Sequence, residues 1–168
     1  MRLFVAVWPC ADVVEGLRLL ARPAVEGVRW TGAEQWHVTA RFLGRLDGPD
    51  EVSARLRSIP LPAAVATIGP ASECRTPGVL WLPVAGLDAL AAEVIRLTAD
   101  IGEPADHAFQ GHLTLARSPR RAPRGVLRRV APLAFSGRWA VGEITVVAST
   151  PGARGSRYEV VDRIPAGA

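Results

Sequence analysis

Two tetrapeptides constrain this chain more than any other feature. His37-Val38-Thr39-Ala40 recurs 75 positions later as His112-Leu113-Thr114-Leu115, in a chain of 168 residues with only three histidines. Each sits in an apolar, β-branched stretch that reads as a strand. Period-two alternation turns histidine and threonine to one face and Val38, Ala40, Leu113 and Leu115 to the core. The surroundings repeat too. A strand over 2–8, a helix from Asp12 and the His37 strand (36–43) are followed by a strand over 79–84, a helix over 87–101 and the His112 strand (112–116). No stretch reads as a linker, so 1–168 is expected to be one α+β domain of two similar halves. Related by a pseudo-twofold axis, the halves would set two imidazole–hydroxyl pairs face to face across a groove.

The remaining elements follow from local patterns. Asp12 is the expected N-cap of a helix carrying Val13, Val14, Leu17 and Leu20 on one face, up to Pro23. Asp47-Gly48-Pro49-Asp50 is a turn leading into a short helix with Val52, Leu56 and Ile59 inward. Strands are expected over 64–68, paired with 79–84, and at the end over 141–147 and 158–164.

Composition narrows the function. All 20 basic residues are arginine, and the net charge is +4. A basic surface favours anionic partners, although an Ala-, Arg-, Gly- and Pro-rich chain also reflects a GC-rich coding bias. The run Arg117, Arg120, Arg121, Arg124, Arg128 and Arg129 contains no acid. It reads either as a solvated face or as a phosphate-tracking patch. Cys10 and Cys74 are far apart and fit two reduced thiols. The apolar runs reach about eight residues, against about 20 for a spanning helix. The N-terminal run is read as a strand and not a leader, which places the protein in the cytoplasm. No phosphate loop, dinucleotide fingerprint, nucleophile elbow or metal-ligand spacing occurs, so no cofactor and no metal are expected. Nothing demands more than a monomer.

The duplicated pair suits one chemistry. Opening a cyclic phosphodiester with water needs a base for the water and an acid for the departing oxygen. Histidine serves as either near neutral pH. Threonine hydroxyls supply donors for the non-bridging oxygens. Arg41 shares parity with His37 and Thr39, so it is a candidate for the groove, with a solvated surface position as the alternative. Arg117 has the opposite parity to His112 by simple alternation, but lies at the strand end, where twist or a bulge would turn it back to the phosphate. Phe42 is expected in the core, His107 on the surface, and Trp30 is the tryptophan to consider for base stacking.

These features resemble the 2H phosphoesterases, named for two HxTx motifs, and within them the RNA 2′,3′-cyclic phosphodiesterases, also called 2′-5′ RNA ligases. The likeness runs through Arg2-Leu3-Phe4-Val5-Ala6-Val7, Val28-Arg29-Trp30, Trp36-His37-Val38-Thr39-Ala40-Arg41-Phe42-Leu43-Gly44, Val79-Leu80-Trp81-Leu82, the segment from Phe109 to Arg117, and Tyr158-Glu159-Val160. The resemblance implies a bilobal, pseudo-twofold α+β fold, two antiparallel sheets lining a central cleft with helices outside. It implies His37 as proton donor to the leaving oxygen and His112 as base. Thr39 and Thr114 bind phosphate in that reading, with Arg117 and Arg41 as further candidates. The implied substrate is RNA with a 2′,3′-cyclic phosphate end, such as a tRNA fragment, and the product a 2′-phosphate, with 2′-5′ ligation as the reverse reaction. Small cyclic nucleotides or ADP-ribose cyclic phosphate are the alternative substrates, and an RNA-end-binding module without turnover is the alternative class. Two positions depart from the family: Arg41 stands where lysine is frequent, and Gly111 where proline is usual, which is expected to loosen the presentation of His112.

Overall fold

The computed structural model describes residues 1–76, 78–152 and 155–167. The strands are β1 (Arg2–Val7), β2 (Arg29–Trp30), β3 (Val38–Arg45), β4 (Ala64–Ile68) and β5 (Glu73–Thr76), then β6 (Val79–Ala85), β7 (His112–Arg117), β8 (Gly137–Val141), β9 (Glu143–Thr150) and β10 (Arg157–Pro165). The helices are α1 (Ala11–Arg18), α2 (Asp50–Leu56) and α3 (Asp88–Leu97).

The strands form an antiparallel path in the order β10-β9-β1-β3-β7-β6-β4-β8, with β2 beside β7 and β5 beside β6. Its centre is its thinnest point. β3 and β7 meet through a single residue pair, Val38 opposite Leu113. These are the same position of the two tetrapeptides. An antiparallel pair of equivalent residues is what a twofold axis passing between them produces. Four antiparallel strands of the path lie on each side of this seam, with β2 and β5 added on the β7 side, and the equivalences of the strands next to the seam match across it. Phe4, Val5 and Ala6 of β1 face Phe42, Arg41 and Thr39 of β3. Val79, Leu80 and Trp81 of β6 face Arg117, Ala116 and Thr114 of β7, the same register 75 residues on.

The helices tie the halves together. α3 packs on β3, while α1 packs against β8 of the other sheet. One hydrophobic core therefore underlies both sheets, from Leu3, Val5 and Leu17 to Leu80, Leu113 and Trp139. A second, smaller cluster of Phe4, Ala6 and Val147, with Trp8, Tyr158 and Val160 against it, covers the other face of β1. That explains why β1 reads as a continuous apolar run and not an alternating one: both faces are covered.

Several boundaries move. α1 starts at Ala11 with Cys10 as cap, so Asp12 lies in the first turn, where the helix dipole favours a carboxylate. It ends at Arg18, not near Pro23, because Arg22 donates to the Leu17 carbonyl (2.8 Å) and stacks on Trp36. α2 ends before Ile59, which is exposed; the Ser58 hydroxyl takes up the Arg55 carbonyl (2.7 Å). α3 ends at Leu97, short of Ile101, where the Thr98 hydroxyl bonds back to the Val94 carbonyl (2.7 Å). The strand expected over 141–147 is two strands. The chain leaves β8, paired with β4, and enters β9, paired with β1, so it changes sheets at Gly142. β2 and β5 have no counterpart in the sequence reading. Among the described residues no helix is long and apolar enough to cross a membrane.

Candidate active site

The cleft lies at the seam, a cavity of about 510 Å³ into which His37, Thr39, His112 and Thr114 all project. Beyond the threonines, alternation breaks in both strands at one equivalent place. In β3 the register skips Ala40, so Thr39 faces Ala6 and Arg41 faces Val5. In β7 it skips Leu115, so Thr114 faces Trp81 and Ala116 faces Leu80. Each skip is a β-bulge, which reverses the facing of the residues that follow; in β3 a second skip, at Leu43, comes only after Phe42.

The bulges decide which cations reach the cleft. Arg117 is brought back to the His112 face and lines it. Arg41 is turned away, which corrects the expectation from parity. It is 4% exposed and donates to the carbonyl of Glu103 (2.6 Å), with a longer contact to that of Ile101 (3.5 Å). Burial lowers its pKa, with Asp106 acting the other way. Phe42, the equivalent of Arg117, is not a core residue: it is exposed, lines the cleft and carries the Arg2 guanidinium 5.5 Å from its ring centre.

Each histidine is seated on aromatic rings. His37 lies against Phe4 (4.9 Å between ring centres), Trp8 (5.3 Å) and Tyr158 (5.0 Å, edge-on). This burial disfavours the charged ring and lowers its pKa to about 4. The Gln35 carbonyl opposes the shift, and the His112 and Arg117 charges add to it. Its buried Nδ1 makes no hydrogen bond of normal geometry, so the Gln35 carbonyl acts on it only as a weak, misaligned partner. His112 stacks on Trp81 (4.0 Å). Its pKa is lowered first by burial, against a favourable contact with Gln110, and then by Arg117. His112 Nδ1 lies 2.7 Å from the Gln110 carbonyl. A carbonyl only accepts, so Nδ1 carries the proton and the neutral ring presents the lone pair of Nε2. Gln35 and Gln110 hold the same place, two residues before each histidine.

Gly111, expected to loosen the presentation of His112, lies where the backbone packs closely on β6. A Cβ at this position would sit 2.1 Å from the Val84 carbonyl oxygen, and the Gly111 carbonyl accepts from Val84 N–H (2.9 Å). Glycine lets the backbone lie directly on β6, so close approach replaces a stiff ring.

Sequence reasoning missed part of the lining. Arg2 and Arg29 join Arg117, and among the described residues the cleft wall holds no carboxylate. Arg29 is placed by the short β2, opposite Arg117 of β7. Thr31 locks this corner: its hydroxyl donates to the Thr114 carbonyl (2.8 Å) and accepts from the Trp36 indole (3.1 Å). Gln35 donates to the Ser156 carbonyl (3.0 Å), which closes the rim beside His37. The signal for these residues was only their nearness to the motif strands. Trp30 does not line the cleft; its indole donates to the Pro23 carbonyl (3.1 Å). His107 is exposed and outside it. Among the described residues no three His, Cys, Asp or Glu side chains converge as metal ligands. Two neutral imidazoles, two hydroxyls and three guanidiniums make a site for a phosphate ester that needs protons moved.

The sequence profile of the 2′-5′ RNA ligase superfamily matches residues 9–152. The structure is similar to TT0787 of Thermus thermophilus, at 27% identity and a TM-score of 0.78, over 98% of this chain and 97% of that one. It is similar to Escherichia coli LigT in apo form, at 26% identity and 0.77, over 99% of this chain and 98% of that one. LigT complexed with 3′-AMP matches at 25% identity and 0.74, with the same coverage. No curated protein matches the sequence at a significant level.

Proposed function

This chain belongs to the 2′-5′ RNA ligase superfamily of 2H phosphoesterases, and from that premise we propose that it opens 2′,3′-cyclic phosphate ends of RNA to 2′-phosphates. The observation that carries the reading is the seam: two equivalent His-x-Thr pairs project into one cleft rimmed by three arginines. The 3′-AMP complex of LigT supports it, since that ligand also carries a phosphate on a ribose.

In the proposed reaction Nε2 of His112 takes a proton from water, whose oxygen attacks phosphorus. The P–O3′ bond breaks as His37 gives its proton to O3′, which leaves the 2′-phosphate. Thr39 and Thr114 donate to the non-bridging oxygens, and Arg117 faces the same charge. The two histidines end with exchanged protonation and reset through solvent. Burial keeps free His37 neutral above about pH 4. An arriving phosphodiester anion favours the imidazolium and so loads the acid when substrate binds. With a 5′-hydroxyl in place of water as the attacking group, the same ring opening joins RNA through a 2′-5′ bond and frees the 3′-hydroxyl. In this reading the protein acts in the cytoplasm as a monomer.

The test is an oligoribonucleotide with a 2′,3′-cyclic phosphate end, incubated with EDTA alongside His37→Ala and His112→Ala. Conversion to a 2′-phosphate, lost in both variants, is expected. An inert wild-type protein refutes the RNA-end reading and sends the assay to cyclic mononucleotides and ADP-ribose cyclic phosphate. Tight binding of the cyclic end without product identifies a binding module.

A further inference from the structure

We propose that a second groove, built from the arginine-rich segment after β7, holds the RNA strand upstream of the reacting end. The proposal rests on the RNA-end reading above. The groove is a cavity of about 700 Å³ whose wall carries Ser118, Arg120, Arg124 and Arg128, with Cys74 of β5 among its lining. Along the chain leaving β7, its lining begins one residue after that of the catalytic cleft. Arg117 lines the cleft, and Ser118, the next residue, lines the groove. Ser118 N–H donates to the Gly78 carbonyl (2.9 Å), which fixes this junction.

The segment is anchored by its backbone and its apolar residues. Ala122 N–H bonds to the Pro119 carbonyl (2.9 Å), Val126 to that of Pro123 (3.1 Å) and Arg128 to that of Gly125 (2.9 Å). Gly125 adopts φ 74°, and the single turn after it buries Val126 and Leu127 in the main core. The three guanidiniums are thus displayed from a fixed base, with their residues exposed. Between Asp106 and Glu143 the sequence contains seven arginines and no carboxylate, so the stretch does not neutralise itself.

Chemistry assigns the occupant. Repeated cations without aromatic neighbours suit a phosphodiester backbone and not bases, because bases need rings to stack on. The described lining of the groove has no aromatic residue, whereas the catalytic cleft has Phe4, Phe42 and Tyr158. The terminal nucleotide is therefore read in the cleft, while the groove holds upstream phosphates without regard to sequence.

The test compares the wild type with R120Q/R124Q/R128Q on two cyclic-phosphate substrates, a dinucleotide and a strand of about twelve nucleotides, near the upper end of single-strand site sizes. Three lost contacts make the log–log salt slope of long-RNA binding shallower by about 2. The KM for the long substrate rises about tenfold or more at low salt, while kcat and the dinucleotide KM hold, which also shows that the variant is folded. An unchanged long-substrate KM overturns the proposal, and so does an equal rise for both substrates. A second arm uses fluorescence anisotropy of the same RNA ending in a 3′-hydroxyl, which cannot react. Weaker binding by the variant is expected, and equal binding overturns the groove whatever the activity. Polyglutamate that competes as well as the RNA assigns the groove to acidic peptides and overturns it too. Loss of the wild-type reaction with the binding difference intact sinks the RNA-end chemistry alone.

Discussion

Replacing His37 by phenylalanine makes the protein less sensitive to acid. In the unfolded chain this imidazole titrates near 6.5, and in the folded protein burial among Phe4, Trp8 and Tyr158 lowers it to about 4. Between those values the unfolded state binds the proton and the folded state does not, so stability falls as pH drops through this window. Its contribution is fully present above 6.5. About 2 kcal/mol of it is lost at pH 5 and about 3 kcal/mol below pH 4. Phenylalanine keeps a ring in the aromatic seat, titrates nothing and removes the poorly bonded Nδ1. Urea unfolding at pH 7.5 and pH 5 gives the test. The wild type should lose about 2 kcal/mol more than the variant between the two conditions. His112, also lowered, is present in both proteins and cancels in the difference. The Arg57–Asp162 pair holds its carboxylate low and stays ionised at pH 5. Equal pH dependence in the two proteins would show that His37 is not held neutral by burial.

Because both histidines are lowered, kcat/KM for a cyclic-phosphate end should be bell-shaped with both limbs below 6.5, the acid limb near 4; an alkaline limb above pH 7 in steady-state kinetics contradicts this. Arg117→Ala should lower kcat/KM about 100-fold and change stability by less than about 0.5 kcal/mol. Arg41→Ala should do the opposite, costing about 2 kcal/mol in chemical denaturation at unchanged kcat, and exchanged outcomes would refute the placement of the bulges. Gly111→Ala must push β6 from its carbonyl contact, so it should cost about 2 kcal/mol and lower kcat, read by thermal melting and single-turnover rates.

The sequence by itself determined the repeat, the strand that starts at or just after each histidine (β3 begins at Val38, not at Trp36) and the inward turn of Val38 and Leu113, because motif spacing and short-range alternation are local properties of the chain. The cleft pair His37 and His112 and the threonines two residues on were legible for the same reason. Tertiary structure alone decided the rest. Whether Arg41 or Arg117 faces the cleft depends on a one-residue skip against β1 and β6, and the skip exists only once the partner strands are paired. Arg2 and Arg29 enter the site through neighbours far away in sequence, and Gly111 gains its meaning from a carbonyl on Val84. The acidity of His37 is set in the same way. Rings from β1, the chain beyond it and β10 remove water from the imidazole, and desolvation is a property of the packed surroundings that no single stretch of sequence carries.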